Sequence, residues 1–302
     1  MKSIHFILIL SATILISSNS HAQKYAPWKQ EIRNIATNYK TITGVAVYGN
    51  DGRDTLTVNG SAHLPMQSVY KFHIALAVLS EVDKGKLDLN QKIKITTKDL
   101  WPKTWSPIRD KYPDGTTLTL AQIIQYTVSE SDNNGCDLLL RLLGGPAFVD
   151  NYFRMANFSD ISIKATEQEM HSGWDVQFSN WTTPIAATNL LKAFYMNELK
   201  LSKNSYNFLL ATMKATSTGK QRIKGLLPSG TVVAHKTGTG GSNDTTGLTS
   251  AVNDIGIVFL PKGNYFIISV MVTESGENSE TNEKIIADIS RIAWDYFSGN
   301  RE

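Results

Sequence analysis

The sequence predicts an α+β fold: an α/β sandwich plus an all-α lobe. A five-stranded antiparallel sheet is drawn from both chain ends and flanked by terminal helices, and the helical lobe is inserted in the middle. Three observations predict this. Runs rich in β-branched residues lie near the two ends of the chain, the interval between them has helical periodicity, and the first and last long segments are themselves amphipathic helices. The 302 residues are 41% hydrophobic and 19% charged, which excludes a disordered, collagen-like or coiled-coil chain. A chain of this length buries enough surface to be stable without covalent staples.

The elements follow in order. Lys2 precedes an apolar stretch over residues 4–16, and Ser20-His21-Ala22 places small residues three and one before a cut at Gln23. This pattern predicts a signal peptide over residues 1–22 and a secreted or periplasmic mature chain. The apolar run falls short of the roughly 20 residues a bilayer span needs, so no membrane anchor is expected in the mature form. Trp28, Ile32, Ile35 and Ala36 recur at helical spacing, and strands are predicted over 42–48 and 54–59 with Asn50-Asp51-Gly52 as the turn. Helices follow over 68–84, 120–128, 136–143, 146–155, 184–197 and 205–214, with Gly85 as the terminator of the first. Strands over 231–237, 246–260 and 265–273 and a helix over 282–297 close the chain. The sheet lobe is thus expected to span about 23–64 and 215–302, the helical lobe about 65–214, with the functional cleft between them.

Lysine and arginine number 30 against 27 acids, with no run of like charges, so no nucleic-acid partner is expected. The single cysteine, Cys136, cannot form an intramolecular disulfide. His63, His73, His171 and His235 show no metal-ligand spacing, and His73 on an apolar helix reads as a core residue. Gly238-Thr239-Gly240-Gly241 lacks the Lys-Ser/Thr of a phosphate loop. The expectation is a monomer acting on a small molecule, with no cofactor and no metal.

Three short motifs carry chemistry. In Ser68-Val69-Tyr70-Lys71 a spacing of three puts the hydroxyl and the amine on one helical face. The serine sits at the helix amino end, where free N–H groups and the dipole stabilise negative charge. Ser217-Thr218-Gly219-Lys220 matches the same pattern, so the tetrapeptide alone is unspecific. Ser131-Asp132-Asn133 lies between two predicted helices as a turn and cap. In Lys236-Thr237-Gly238, strand alternation puts the lysine and the glycine on one face, where the missing side chain is expected to let a substrate lie against the backbone.

Taken together and in this order, the three motifs are the set shared by class A β-lactamases and penicillin-binding proteins. The chain resembles a class A serine β-lactamase over its whole mature length. A fourth element, Ala165-Thr166-Glu167-Gln168-Glu169-Met170-His171, is one that penicillin-binding transpeptidases lack. The resemblance implies that Ser68 attacks the β-lactam carbonyl and that the backbone N–H groups of Ser68 and Thr239 form the oxyanion hole. Lys71, or Glu167 through a water, would remove the serine proton. Ser131 would pass a proton to the lactam nitrogen with Lys236 beside it, and Asn133 would hold the substrate side-chain amide. Glu167 would activate the deacylating water. Arg222, beside Thr237 and Thr239, would receive the substrate carboxylate, with Lys224 as its competitor.

The chain departs from the family pattern at the neck of the acidic loop. Ala165 and Asn180 stand where an Arg–Asp pair is usual, and His171 stands where Asn is usual, which leaves the loop path open. With Gln67 before the nucleophile and Trp105 as a cleft wall or a core residue, these changes resemble the divergent extended-spectrum branch and imply a cleft that accepts oxyimino-cephalosporins. The alternatives are a D-alanyl-D-alanine peptidase and a sensor domain that binds β-lactams without turnover.

Overall fold

Both ends of the chain meet in one sheet. The computed structural model describes residues 27–299 except 51 and 53. The predicted signal peptide over 1–22, its cut at Gln23 and the centre of the Asn50-Asp51-Gly52 turn lie outside the described residues. The five main strands are β1 (Ile42–Gly49), β2 (Thr55–Val58), β3 (Val233–Thr239), β4 (Thr249–Phe259) and β5 (Tyr265–Ser275), in the order β2-β1-β5-β4-β3. All neighbours are antiparallel, with Val45 opposite Val270 and Lys236 opposite Ile255. The helices are α1 (Pro27–Thr37), α2 (Tyr70–Asp83), α3 (Pro107–Lys111), α4 (Leu120–Ser129), α5 (Asn133–Leu143), α6 (Pro146–Met155), α7 (Glu167–Met170), α8 (Pro184–Tyr195), α9 (Lys203–Lys214) and α10 (Ser279–Phe297).

The central strands are apolar almost without interruption because both faces are covered. Phe266, Ile268 and Val270 of β5 pack against the α1 and α10 side chains Trp28, Ile32, Ile285 and Ile289. Ile267 and Met271, on the opposite face, join the core formed with the helices of the chain's middle. There α8 lies on the sheet, and the Thr188 hydroxyl donates to Ser269 Oγ at 2.9 Å, satisfying a polar pair inside that layer. α2 is buried all round, as a helix with no polar face must be: every residue from 70 to 79 is buried, Lys71 and His73 included. Gly85 follows its end in the left-handed conformation at φ 73°.

Boundaries differ from expectation where side chains cap ends. α5 starts at Asn133 rather than near Cys136, because the Asp132 carboxylate accepts the Gly135 N–H at 2.7 Å and initiates the helix three residues earlier. β4 starts at Thr249 rather than 246, because Asn243 Oδ1 accepts the amides of Thr245 and Thr246 and holds them in a turn. α3, α7 and the short pairs Leu64–Pro65 with Trp181–Thr182 and Lys92–Ile95 with Thr116–Thr119 were not expected, since elements of two to five residues carry no readable period.

His73 is fully buried against the rings of Phe72 and Phe153, and burial pushes its pKa from 6.5 down to about 4. The folded state thus keeps it neutral while an unfolded chain protonates below pH 6.5, so its contribution to stability falls as pH drops from 6.5 to about 4. The loss amounts to roughly 3 kcal/mol over that window. His73→Leu should flatten the pH dependence of denaturant-measured stability by that amount; identical slopes in the two proteins would contradict it.

Candidate active site

The nucleophile candidate sits in a single 3-10 turn, Gln67–Val69, that runs directly into α2. Lys71, one turn deeper and fully buried, donates from Nζ to Ser68 Oγ at 2.9 Å and to the Ser131 carbonyl at 2.8 Å. It also donates to Asn133 Oδ1 and lies 3.0 Å from Glu167 Oε1. Glu167, 5% exposed, is in turn 3.4 Å from Ser68 Oγ. A hydroxyl, an amine and a carboxylate therefore share one proton-transfer neighbourhood.

On the far side, Lys236 is fully buried and donates to Ser131 Oγ at 2.9 Å and to the Thr237 carbonyl at 2.9 Å. Burial, then the nearby Lys71 ammonium, push its pKa well below the usual lysine range; Asp254 and Glu167 oppose that shift. Gln67 and Ser131 hold left-handed backbone angles, φ 47° and 61°, a strain that native folds concentrate at functional sites.

A Cβ at Gly238 would run into the Met66 carbonyl and the Gln67 side chain, so the missing side chain lets β3 lie against the turn that bears Ser68. The edge strand and the turn that bears Ser68 are thereby locked together.

The acidic loop is ordered by two devices. Thr166 and Glu169 form a reciprocal capping box, Glu169 Oε2 accepting from Thr166 N at 2.8 Å. This turns Glu169 away and leaves Glu167 as the inward acid. Asp137, on α5, accepts the Glu167 N–H at 2.8 Å and the Gln168 N–H at 3.1 Å. Burial, and then the Glu167 charge, raise the Asp137 pKa to about 6. Asp137 escaped the sequence reading because no local pattern links it to a loop 30 residues away. The capping box was readable as Thr-x-x-Glu.

The loop's neck closes without an ion pair. Buried Asn180 accepts the Lys164 and Ala165 amides at 2.7 and 2.9 Å and returns its NH₂ to the Ala165 carbonyl at 2.8 Å. His171 Nδ1 donates to the Glu167 carbonyl at 2.7 Å, and its ring meets the edge of Trp101 at 4.9 Å.

Two cavities open over Ser68. One, of about 620 Å³, runs between the Glu167 loop, with His171 and Trp174, and the turn over 240–245. The other, of about 250 Å³, is bounded by Ser131, Thr218, Arg222, Thr237 and Thr239. Trp105 is 59% exposed and borders both, so it is a wall of the cleft and not a core residue. Arg222 is the basic side chain of the smaller cavity. Nη2 donates to Thr239 Oγ1 at 2.7 Å, Nη1 to the Gly238 and Asn253 carbonyls, and Nε to Glu283 of α10 at 3.1 Å. Lys224 instead turns to the Thr216 carbonyl at 3.4 Å. Among the described residues no cluster of His, Cys, Asp and Glu fits a metal ion, and no helix is long and apolar enough to cross a membrane.

Comparison with known proteins finds relatives along most of the chain. A sequence model of the beta-lactamase enzyme family matches residues 27–297. The chain is 49% identical to beta-lactamase VEB-1 of Pseudomonas aeruginosa over 298 residues, covering 98% of each. It is 41% identical to the extended-spectrum beta-lactamase PER-1 of the same organism, covering 96% of this chain and 94% of the relative. Among solved structures, TLA-3 extended-spectrum beta-lactamase superposes with a TM-score of 0.87 at 52% identity, covering 90% of this chain and 98% of that one. A class A beta-lactamase from Bacteroides cellulosilyticus superposes at 0.85 with 39% identity, covering 90% and 97%. A matched family model over nearly all the described residues, relatives aligned end to end and the same fold establish that this chain belongs to the beta-lactamase enzyme family, as a class A member.

Proposed function

We propose that the protein hydrolyses penicillins and cephalosporins through an acyl-enzyme on Ser68 and so confers β-lactam resistance. Ser68 Oγ attacks the lactam carbonyl carbon while its proton passes to Lys71 or towards Glu167, both within reach. The N–H groups of Ser68 and Thr239 receive the oxyanion. As the C–N bond breaks, Ser131 protonates the departing nitrogen and is resupplied by Lys236. Arg222, Thr237 and Thr239 hold the substrate carboxylate, and Asn133 holds the side-chain amide. Glu167 then takes a proton from the water that opens the ester, and the departing Ser68 oxygen takes one back through Lys71, 2.9 Å away.

The single observation that carries this reading is the buried Glu167 carboxylate beside both Lys71 and Ser68. A peptidase or a sensor needs the serine and the lysine but no second base for deacylation. The 620 Å³ cavity, walled by Trp105 and His171, favours bulky oxyimino side chains, in keeping with the extended-spectrum designations of PER-1 and TLA-3. The reading includes export by removal of residues 1–22, a monomer with no membrane anchor, and a cleft between a sheet lobe over about 23–64 and 215–302 and a helical lobe over about 65–214.

The test is turnover of a chromogenic cephalosporin by the purified mature chain. Many turnovers per enzyme, at a kcat on the order of 1 to 10³ s⁻¹, are expected. A single slow equivalent of bound antibiotic with no further hydrolysis would favour the peptidase or the sensor.

A further inference from the structure

The segment from Trp101 to Trp105 touches the site at three points and belongs to no helix or strand. Thr104 Oγ1 accepts from Asn133 Nδ2 at 2.6 Å, the Trp105 carbonyl accepts the Asn133 N–H at 3.1 Å, and Trp101 meets the His171 ring. Its conformation is gathered by one cation. Arg109 Nη1 donates to the carbonyls of Trp101, Pro102 and Thr104 at 3.1, 2.9 and 2.6 Å. Two hydrogens serve three acceptors there, so at least one is shared. Nε and Nη2 are held by Asp110 at 3.2 and 2.7 Å, which fixes the plane of the guanidinium.

Arg109 is itself tied to the site by the residue between Ser131 and Asn133. Asp132 accepts from Ser106 Oγ at 2.9 Å and from the Ile108 N–H at 2.7 Å, while Ser106 caps the Arg109 N–H at 3.1 Å. The contacts close a ring from Asp132 through α3 and Arg109 to Thr104 and back to Asn133. That ring sets which way the Asn133 amide faces. Lys71 donates to Oδ1, Thr104 Oγ1 accepts one hydrogen of Nδ2, and one N–H remains for a substrate carbonyl.

We propose that Arg109 is a positioning residue for substrate side-chain recognition, acting through Thr104 on the Asn133 amide and on the Trp105 wall. This rests on Asn133 holding the side-chain amide of the substrate, as in the reading above. The effect is confined to substrates that carry an acylamino side chain, because a bare β-lactam nucleus offers Asn133 no side-chain carbonyl.

The experiment compares KM and kcat for an acylamino-cephalosporin and for the unacylated 7-amino nucleus. Arg109→Met should raise KM about tenfold for the first and less than twofold for the second, a loss in keeping with one misdirected hydrogen bond. Arg109→Lys, which keeps a cation but not the fork that spans three carbonyls and Asp110, should recover only part of the loss. On a Thr104→Val background, which removes the Thr104 hydroxyl that Asn133 meets, Arg109→Met should add less than twofold to the part of the loss that passes through Asn133. Equal losses on both substrates, or full additivity with Thr104→Val, would overturn the proposal. Asn133→Ala separates the premise from the inference. If it leaves the ratio between the two substrates unchanged, the reading of Asn133 falls and the proposal with it. If it shifts the ratio while Arg109→Met does not, the proposal alone falls.

Discussion

Ser68→Ala is expected to abolish covalent labelling by a fluorescent penicillin and to lower kcat by a factor on the order of 10⁶, the scale seen when a serine hydrolase loses its nucleophile. The fold should persist, because Lys71 keeps the Ser131 carbonyl, Asn133 and Glu167 as partners once the hydroxyl is gone. The control is Ser217→Ala, which removes the other serine with a lysine three residues on. Ser217 lies in a loop, and its N–H and hydroxyl both turn to the Ser129 carbonyl, at 2.9 and 3.2 Å. It has neither a helix amino end nor a buried amine, so labelling should survive its loss. Intact-mass detection of a penicilloyl adduct on the Ser68→Ala protein would move the nucleophile elsewhere.

Glu167→Gln should acylate and then stall, with intact-mass spectrometry showing an adduct one substrate heavier that persists for minutes to hours. Removing a general base commonly costs about 10² to 10⁴ in rate, so steady-state turnover collapses while the burst remains. Glutamine keeps the volume of a carboxylate that is 5% exposed, which separates lost chemistry from a collapsed loop. The loop's anchor is also untouched, since Asp137 holds backbone amides and not the Glu167 side chain. Glu169→Ala is the contrast. It breaks a capping box and should cost about 1 kcal/mol of local stability with little change in rate. A Glu167→Gln enzyme turning over near the wild-type rate would place the base elsewhere.

Much of this site was legible residue by residue. Ser68, Lys71, Ser131, Asn133, Lys236 and Glu167 could be named because their short motifs, taken together and in order, resemble those of a known family; no one of them is specific by its spacing alone. Each motif sits beside a long element that periodicity reveals. The terminal helices and the four long strands were readable because their apolar runs are long enough to show a period, and β2 because a hairpin turn signal precedes it. Short elements such as α3 and α7 were not, and capping side chains shifted the starts of α5 and β4.

The sequence alone therefore determined the layers of the fold, because helical and strand periods translate directly into shared faces, while the candidate nucleophile and its partners came from the resemblance that the motifs carry together. Tertiary structure decided the rest. Arg222 rather than Lys224 faces the cavity because Thr239, the strand carbonyls and Glu283 capture its guanidinium. Gly238 serves the nucleophile turn because two backbones, far apart in the chain, approach within contact there. Asn180 closes the loop's neck by satisfying backbone amides in place of an ion pair, and Asp137 holds the turn that bears Glu167. All of these contacts join residues separated by more than a helical turn or a strand pair. A hydrogen bond or a close approach between such residues exists only once the core has brought their elements together, and leaves no period in the chain to read.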